Sequence, residues 1–177
     1  MSTVAVVTAA IPERFDLLRE ALDSVAAQTL LPAEHLICVD YDRRDTAQTL
    51  NRALAGVTSE WVAMLDDDDV LYPWHLDVLV GASTLADVVY SWCDCEMGFD
   101  VNVPFDPVRL REGNYIPTTA LVRTSMLRDV GGWPDERLQD WALWLKLLDA
   151  QARFVYVPKV TWRYRRHGGP QKALGGL

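Results

Sequence analysis

The chain has 177 residues, half of them apolar and 24% charged. That is the size and usage of one folded domain with a core of its own, and it excludes a disordered chain. A net charge of −8 argues against a protein whose main task is to coat nucleic acid or an anionic membrane. The charge is uneven: six basic and no acidic residues follow from Arg153 onward, which leaves −14 on residues 1–152 and marks the C-terminal end as a place for an anion. Three Cys without a CxxC pair read as reduced thiols, and no further ligands stand at zinc spacing around Cys93 and Cys95. No apolar run reaches 18 residues, and the first basic residue is Arg14, which does not resemble the start of a secretory leader. The expectation is one cytoplasmic domain over residues 1–167 with a mobile tail over 168–177.

In chain order, Thr3–Thr8 is a β-branched run that reads as a buried strand. Pro12 opens a helix whose stripe is Phe15, Leu18, Leu22 and Val25. His35–Asp40 reads as a strand, Thr46–Leu54 as a helix, and Trp61–Leu65 as a strand that ends in four aspartates. Pro73 opens a third helix, and Val88–Trp92 is a fourth strand. Such alternation predicts an α/β fold with a mostly parallel sheet and helices on both faces. Ligands of such sheets sit beyond the carboxyl ends of the strands, here after Thr8, Asp40 and Leu65. Asp94–Tyr115 reads as a long loop, Thr118–Arg123 as a strand, and Gly131-Gly132 as a break. Trp141, Trp144, Leu145 and Leu148 recur at helical spacing, and two short strands flank Pro158.

The run Asp66-Asp67-Asp68-Asp69 carries most of the chemistry. Crowded carboxylates at a strand end need a cation, solvent or protonation. On an extended segment Asp66 and Asp68 would point to one side, which suits Mg²⁺ or Mn²⁺ shared with phosphate oxygens. A solvated acidic turn is the competing reading of the same residues.

Five blocks resemble, in order, the family-two inverting nucleotide-sugar glycosyltransferases, which have the GT-A fold, a Rossmann-like α/β/α sandwich. They are VVTAAIPERFDLLREALDSVAAQTL, LICVDYD, LNRALAGVTSEWVAMLDDDDVLYPWHL, VGGWPDERLQDWALWLKL and YVPKVTWRYRRHGG, which together span roughly Val4 to Gly169. The resemblance implies that a sugar is transferred from a nucleoside diphosphate to an acceptor hydroxyl, with a divalent metal, Mn²⁺ or Mg²⁺. Asp66 and Asp68 match the outer positions of the DXD motif. Asp68 is then the main metal ligand and Asp66 a contact to metal or ribose; Asp67 counts among the donor contacts, and Asp69 orients the others. Asp40 matches the acid that holds the base or ribose. Tyr41 stands where the family usually has a second acid, with Asp42 next, and Tyr41 offers a stacking face. Thr8 and Ala10 match the loop lining the nucleotide pocket, although this chain has Ala-Ala-Ile-Pro where the family often has Pro-Thr-Tyr-Asn.

Asp140 matches the catalytic base, the carboxylate that takes the acceptor's proton as its oxygen attacks the anomeric carbon. Gln139 replaces the family's usual Glu, and from the residues alone Asp140 also reads as a helix N-cap. His167 is implied as a metal or diphosphate ligand, and Arg165 and Arg166 as neutralisers of phosphate; a solvated basic strand end is the other reading. Trp144 is expected in the core, Trp133 near the acceptor, and Trp141 on the acceptor side or in the core. No Gly-rich loop follows the first strand, which counts against a nucleotidyltransferase and against a dinucleotide-binding dehydrogenase. A nucleotide-sugar-binding relative without turnover, or one completed by a partner or a second copy, stays open. The acceptor is unspecified, and a nucleic-acid acceptor is not favoured, because one diphosphate accounts for much of the C-terminal basic charge.

Overall fold

A computed structural model describes residues 2–42, 45–95 and 102–165. Strand β1 (Val4–Ala10) is followed by a 3₁₀ turn at Pro12–Arg14, with Pro at its first position, and then by helix α1 (Phe15–Ala26). The expected helix start at Pro12 is therefore a tight turn first and an α-helix from Phe15. Strand β2 (Glu34–Val39) leads to α2 (Thr46–Gly56), where Asp45 supplies the cap by accepting the Ala47 N–H at 2.7 Å. Next come β3 (Trp61–Met64), β4 (Val70–Leu71), α3 (His75–Gly81) and β5 (Val88–Asp94). The second half holds α4 (Pro107–Glu112), β6 (Leu121–Arg123), α5 (Thr124–Asp129), α6 (Gln139–Asp149) and β7 (Phe154–Arg163). The segment read as a long loop thus contains a helix, which Pro107 opens and Asp106 caps through the Val108 and Arg109 N–H groups. The two short strands around Pro158 are one strand, with its irregularity against β5 near Trp92. The expected mobile tail, 168–177, lies outside the described residues.

The sheet runs β2-β1-β3-β6-β5-β7-β4. Pairings β1–β2, β1–β3 and β5–β7 are parallel, whereas β6 lies antiparallel between β3 and β5, and β4 antiparallel on β7. The parallel character predicted from the alternation holds for β2-β1-β3 and for β5-β7, whereas β6, which joins them, and β4, at the far edge, run in the opposite sense.

Alternation along the strands divides the core in two. Ala5, Val7, Val62, Met64 and Tyr90 face α2 and α6, meeting Leu50, Leu54, Leu143 and Trp144. Val4, Val6, Trp61, Ala63 and Val89 face α1 and α3, meeting Ala21, Val25, Leu76 and Leu79. Each fully buried Leu or Val contributes about 1.5–3 kcal/mol, so both layers are tightly specified. The Ala27-Gln28-Thr29 ending of α1 has a structural purpose. Gln28 donates to the Tyr72 carbonyl and accepts from the Leu76 N–H, and the Thr29 N–H reaches the Pro73 carbonyl. These bonds lock the chain that follows the aspartate run onto α1.

Candidate active site at the carboxyl end of the first three strands

The parallel trio β2-β1-β3 ends in register. Asp40 N–H bonds the Ala10 carbonyl and Leu65 N–H the Val7 carbonyl, so the chain leaves all three strands at one edge. There the aspartates do not continue as an extended segment. They close a turn, with Asp69 N–H bonding the Asp66 carbonyl at 3.2 Å. The turn sorts the four side chains. Asp66, Asp68 and Asp69 each bring a carboxylate oxygen to within 4.8 Å of the others. Asp67 stands outside this set, is buried, and accepts the Ile11 N–H at 2.9 Å and the Arg14 guanidinium at 3.1 Å. Asp67, expected among the donor contacts, instead pins the loop after β1.

Two charges 4.8 Å apart repel by roughly 3–4 kcal/mol at the effective dielectric of a protein site. The carboxyl groups register this crowding. Burial, then Asp68, Asp67 and Asp140, push Asp66 up to about 7, while a 3.2 Å bond from the Thr118 hydroxyl works the other way. Burial, then Asp66 and Asp68, hold Asp69 well above the usual carboxylate range. Tyr164 borders the same cluster, its phenol pushed up by burial and then by Asp69, Asp68 and Asp66. Hard carboxylate oxygens converging in this way suit a divalent cation such as Mg²⁺ or Mn²⁺.

Asp140 reaches the same place from α6. It lies in the first turn, one residue after the helix begins at Gln139, and the N-cap position belongs to Leu138. The capping reading of Asp140 therefore does not hold. The carboxylate is buried, accepts the Asn114 side-chain N–H at 2.8 Å, and is close enough to Asp66 to raise its pKa. Asn114 is itself fixed, because its carbonyl oxygen accepts the Ile116 N–H.

Other expected site residues lie elsewhere or act differently. Thr8 is fully buried, its hydroxyl 3.1 Å from His35 Nε2, and so lines no open pocket. Ala10 is buried at the end of β1; Asp40 is half-buried with a carboxylate oxygen on Asp45 N–H; Tyr41 and Asp42 are exposed beside it. Arg165, expected to neutralise phosphate, instead braces the aspartate turn. Its guanidinium bonds the Asp68 and Leu17 carbonyls and Glu20, and its N–H bonds Asp69. Trp133 is a core residue. The Gly131-Gly132 break has positive φ at both residues (82° and 73°), and a Cβ on Gly132 would collide with the Asn51 carboxamide. That carboxamide clamps both backbone groups of Trp133, at 2.7 and 2.9 Å, and turns its ring inward. Trp141 donates to the Leu110 carbonyl and packs against α4, and Trp144 lies in the core. Arg166 and His167 fall outside the described residues.

Three site neighbours were not anticipated from sequence: Arg14, Asn114 and Thr118. Arg14 is the first basic residue after β1 and falls at a strand's carboxyl end, a signal available in the chain itself. Asn114 and Thr118 sit in irregular chain, where no periodicity marks a face.

No family model matches the chain, and no curated protein matches it in sequence. Solved structures match its fold. S. aureus TarS residues 1–349 in complex with UDP-GlcNAc superposes with a TM-score of 0.77 at 15% identity, covering 99% of this chain and 62% of that one. The mannosyltransferase PcManGT from Pyrobaculum calidifontis, in complex with GDP-Man and Mn²⁺, gives 0.69 at 17% identity, with 98% and 59% covered. Glucosyl-3-phosphoglycerate synthase from Mycobacterium tuberculosis, with Mn²⁺, UDP and phosphoglyceric acid, gives 0.70 at 17% identity, with 94% and 72% covered. The fold is thus that of the GT-A glycosyltransferases, and the chain spans less than two thirds of the length of the TarS and PcManGT chains. No helix among the described residues is long and apolar enough to cross a membrane.

Proposed function

We propose that this chain is a metal-dependent glycosyltransferase that moves a sugar, with inversion, from a nucleoside-diphosphate sugar to an acceptor hydroxyl. The observation that carries this reading is the convergence of the Asp66, Asp68 and Asp69 carboxylates at the carboxyl end of β3, with Asp140 close enough to Asp66 to be felt by its carboxyl group. The fold supports it, since the similar solved structures were determined with UDP-GlcNAc, GDP-Man or UDP, two of the three also with Mn²⁺.

Asp66, Asp68 and Asp69 would hold Mn²⁺ or Mg²⁺, which when bound supplies positive charge against the leaving diphosphate. The chain's own groups do the rest. Ala10, Asp40, Tyr41 and Asp42 lie where the nucleoside would rest, at the ends of β1 and β2. Asp140 takes the proton of the acceptor hydroxyl while that oxygen bonds to the anomeric carbon. The bond from the anomeric carbon to the diphosphate oxygen breaks, and its electron pair leaves with the diphosphate. Asn114 orients the base by donating to one of its oxygens, and Thr118 steadies Asp66.

Transfer or donor hydrolysis, assayed with a panel of UDP- and GDP-sugars and Mn²⁺, is expected to fall at least a hundredfold in both Asp68→Ala and Asp140→Asn. Wild-type rates in both variants would overturn the assignment.

A further inference from the structure

Arg14 ends the 3₁₀ turn that leaves β1, and its side chain is only 19% exposed. One terminal nitrogen lies 3.1 Å from Asp67 Oδ1 and 2.7 Å from Asp68 Oδ2. The guanidinium therefore bridges two neighbouring acids with different duties. Asp67 anchors the loop through the Ile11 N–H, whereas Asp68 belongs to the converging set. A guanidinium cannot lose its charge at any working pH, so Arg14 is a permanent cation at the edge of the cluster. Burial works against that charge, but Asp68 and Asp67 outweigh it and raise the Arg14 pKa. Among the described residues a second nearby guanidinium, that of Arg165, is turned to the Asp68 and Leu17 carbonyls and to Glu20.

We infer that Arg14 is a built-in competitor of the divalent ion: without the ion its guanidinium neutralises Asp68, and when the ion binds it releases Asp68 and stays tethered by Asp67. The inference rests on the metal reading of the site proposed above. Two consequences follow from its geometry. The metal-free site is held together by an internal cation, which keeps four adjacent carboxylates from bursting the turn. Metal affinity is weakened until a phosphate arrives, because a guanidinium freed from Asp68 has the donor's diphosphate as its next anion. Metal and nucleotide then favour the same arrangement and bind cooperatively.

The test is Mn²⁺ binding alone, by titration calorimetry and by melting temperature, in wild type, Arg14→Gln and Arg14→Lys. Arg14→Gln should bind Mn²⁺ about tenfold more tightly, the loss of one charge-assisted bond that the ion no longer has to break. Arg14→Lys keeps the charge but carries it on a shorter side chain with a more strongly hydrated head, and should gain about two- to threefold. Arg14→Gln should also melt lower than wild type without metal and recover more on adding Mn²⁺. A folded Arg14→Gln that binds Mn²⁺ with wild-type affinity or more weakly would overturn the inference while leaving the metal site standing. If Arg14→Gln fails to fold, an unchanged or weaker affinity in Arg14→Lys overturns it instead. Absence of Mn²⁺ binding in every folded protein would remove the metal reading and this inference together.

Discussion

The two ends of β3 place acidic side chains in opposite circumstances. At its start, where β5, β6 and β7 bring their ends level with Trp61, Asp87 meets two arginines. Arg153 grips it with Nε at 2.9 Å, a terminal nitrogen at 3.1 Å and its own backbone N–H at 3.0 Å, and Arg123 adds a longer contact at 3.4 Å. Those bonds, Arg153 first, hold the Asp87 carboxyl down at about 2. Arg123 goes on to stack over Trp61 and pair with Glu60. At the other end of β3, the aspartate run has more acids than cations, and Asp66 and Asp69 are pushed up rather than down. One end is electrically complete and reads as structure. The other, among the described residues, is left with carboxyl groups that lack a matching cation, which is what makes it the candidate site.

The sharpest way to break this contrast is to remove one acid from each end. At the site end, Asp140→Asn should cut turnover by about a hundredfold to ten-thousandfold and leave the melting temperature within a degree or two, because Asn keeps the shape and can still bond Asn114. At the structural end, Asp87→Asn should lower stability by about 1–2 kcal/mol in urea titrations, discounted because Arg153 is more than half exposed, with Mn²⁺ binding unchanged.

The pH dependence of that second variant sharpens the contrast. A carboxylate whose folded pKa is depressed stabilises the fold fully above its unfolded pKa of about 4, and that contribution disappears as pH falls toward about 2. The urea midpoints of wild type and Asp87→Asn should therefore differ most at pH 6, draw closer below about pH 4 and converge only as pH falls through about 2. A gap as wide at pH 2 as at pH 6 would mean that Asp87 acts through shape and not through charge. The smallest expected effect is at the site. Asp66→Asn relieves crowding, and should raise the melting temperature of the metal-free protein by about 2–4 °C while abolishing its response to Mn²⁺.

The parts legible in the sequence are those set by local pattern. The first strand, read from Thr3 and starting at Val4, the strand start at Trp61, the helices at Thr46 and around Trp141, and the aspartate run at a strand's end follow from periodicity and punctuation. What local pattern does not encode is pairing between distant segments. Leu121–Arg123 is three residues long, and only its partners β3 and β5 make it antiparallel. Trp133 follows a Gly-Gly break, as surface loops often do, but Asn51, 82 residues away, folds it inward. Arg165 sits in a basic stretch that reads as a phosphate contact, yet the Asp68 and Leu17 carbonyls take its guanidinium. Asn114 becomes a site residue because Asp140, 26 residues on in α6, takes its side-chain N–H, and no spacing within the chain announces that.

The proposed function requires the aspartate turn to be a metal-dependent nucleotide site. Its most direct test is the melting temperature of wild type and Asp68→Ala with UDP and with GDP, each with and without Mn²⁺. A ligand at a hundredfold excess over its Kd stabilises the folded state by about 2.7 kcal/mol, a shift of several degrees. Such a shift is expected for one nucleotide in wild type, only with Mn²⁺ present, and none in Asp68→Ala. No shift with either nucleotide in folded wild-type protein, or an equal shift without the metal or in Asp68→Ala, would contradict it.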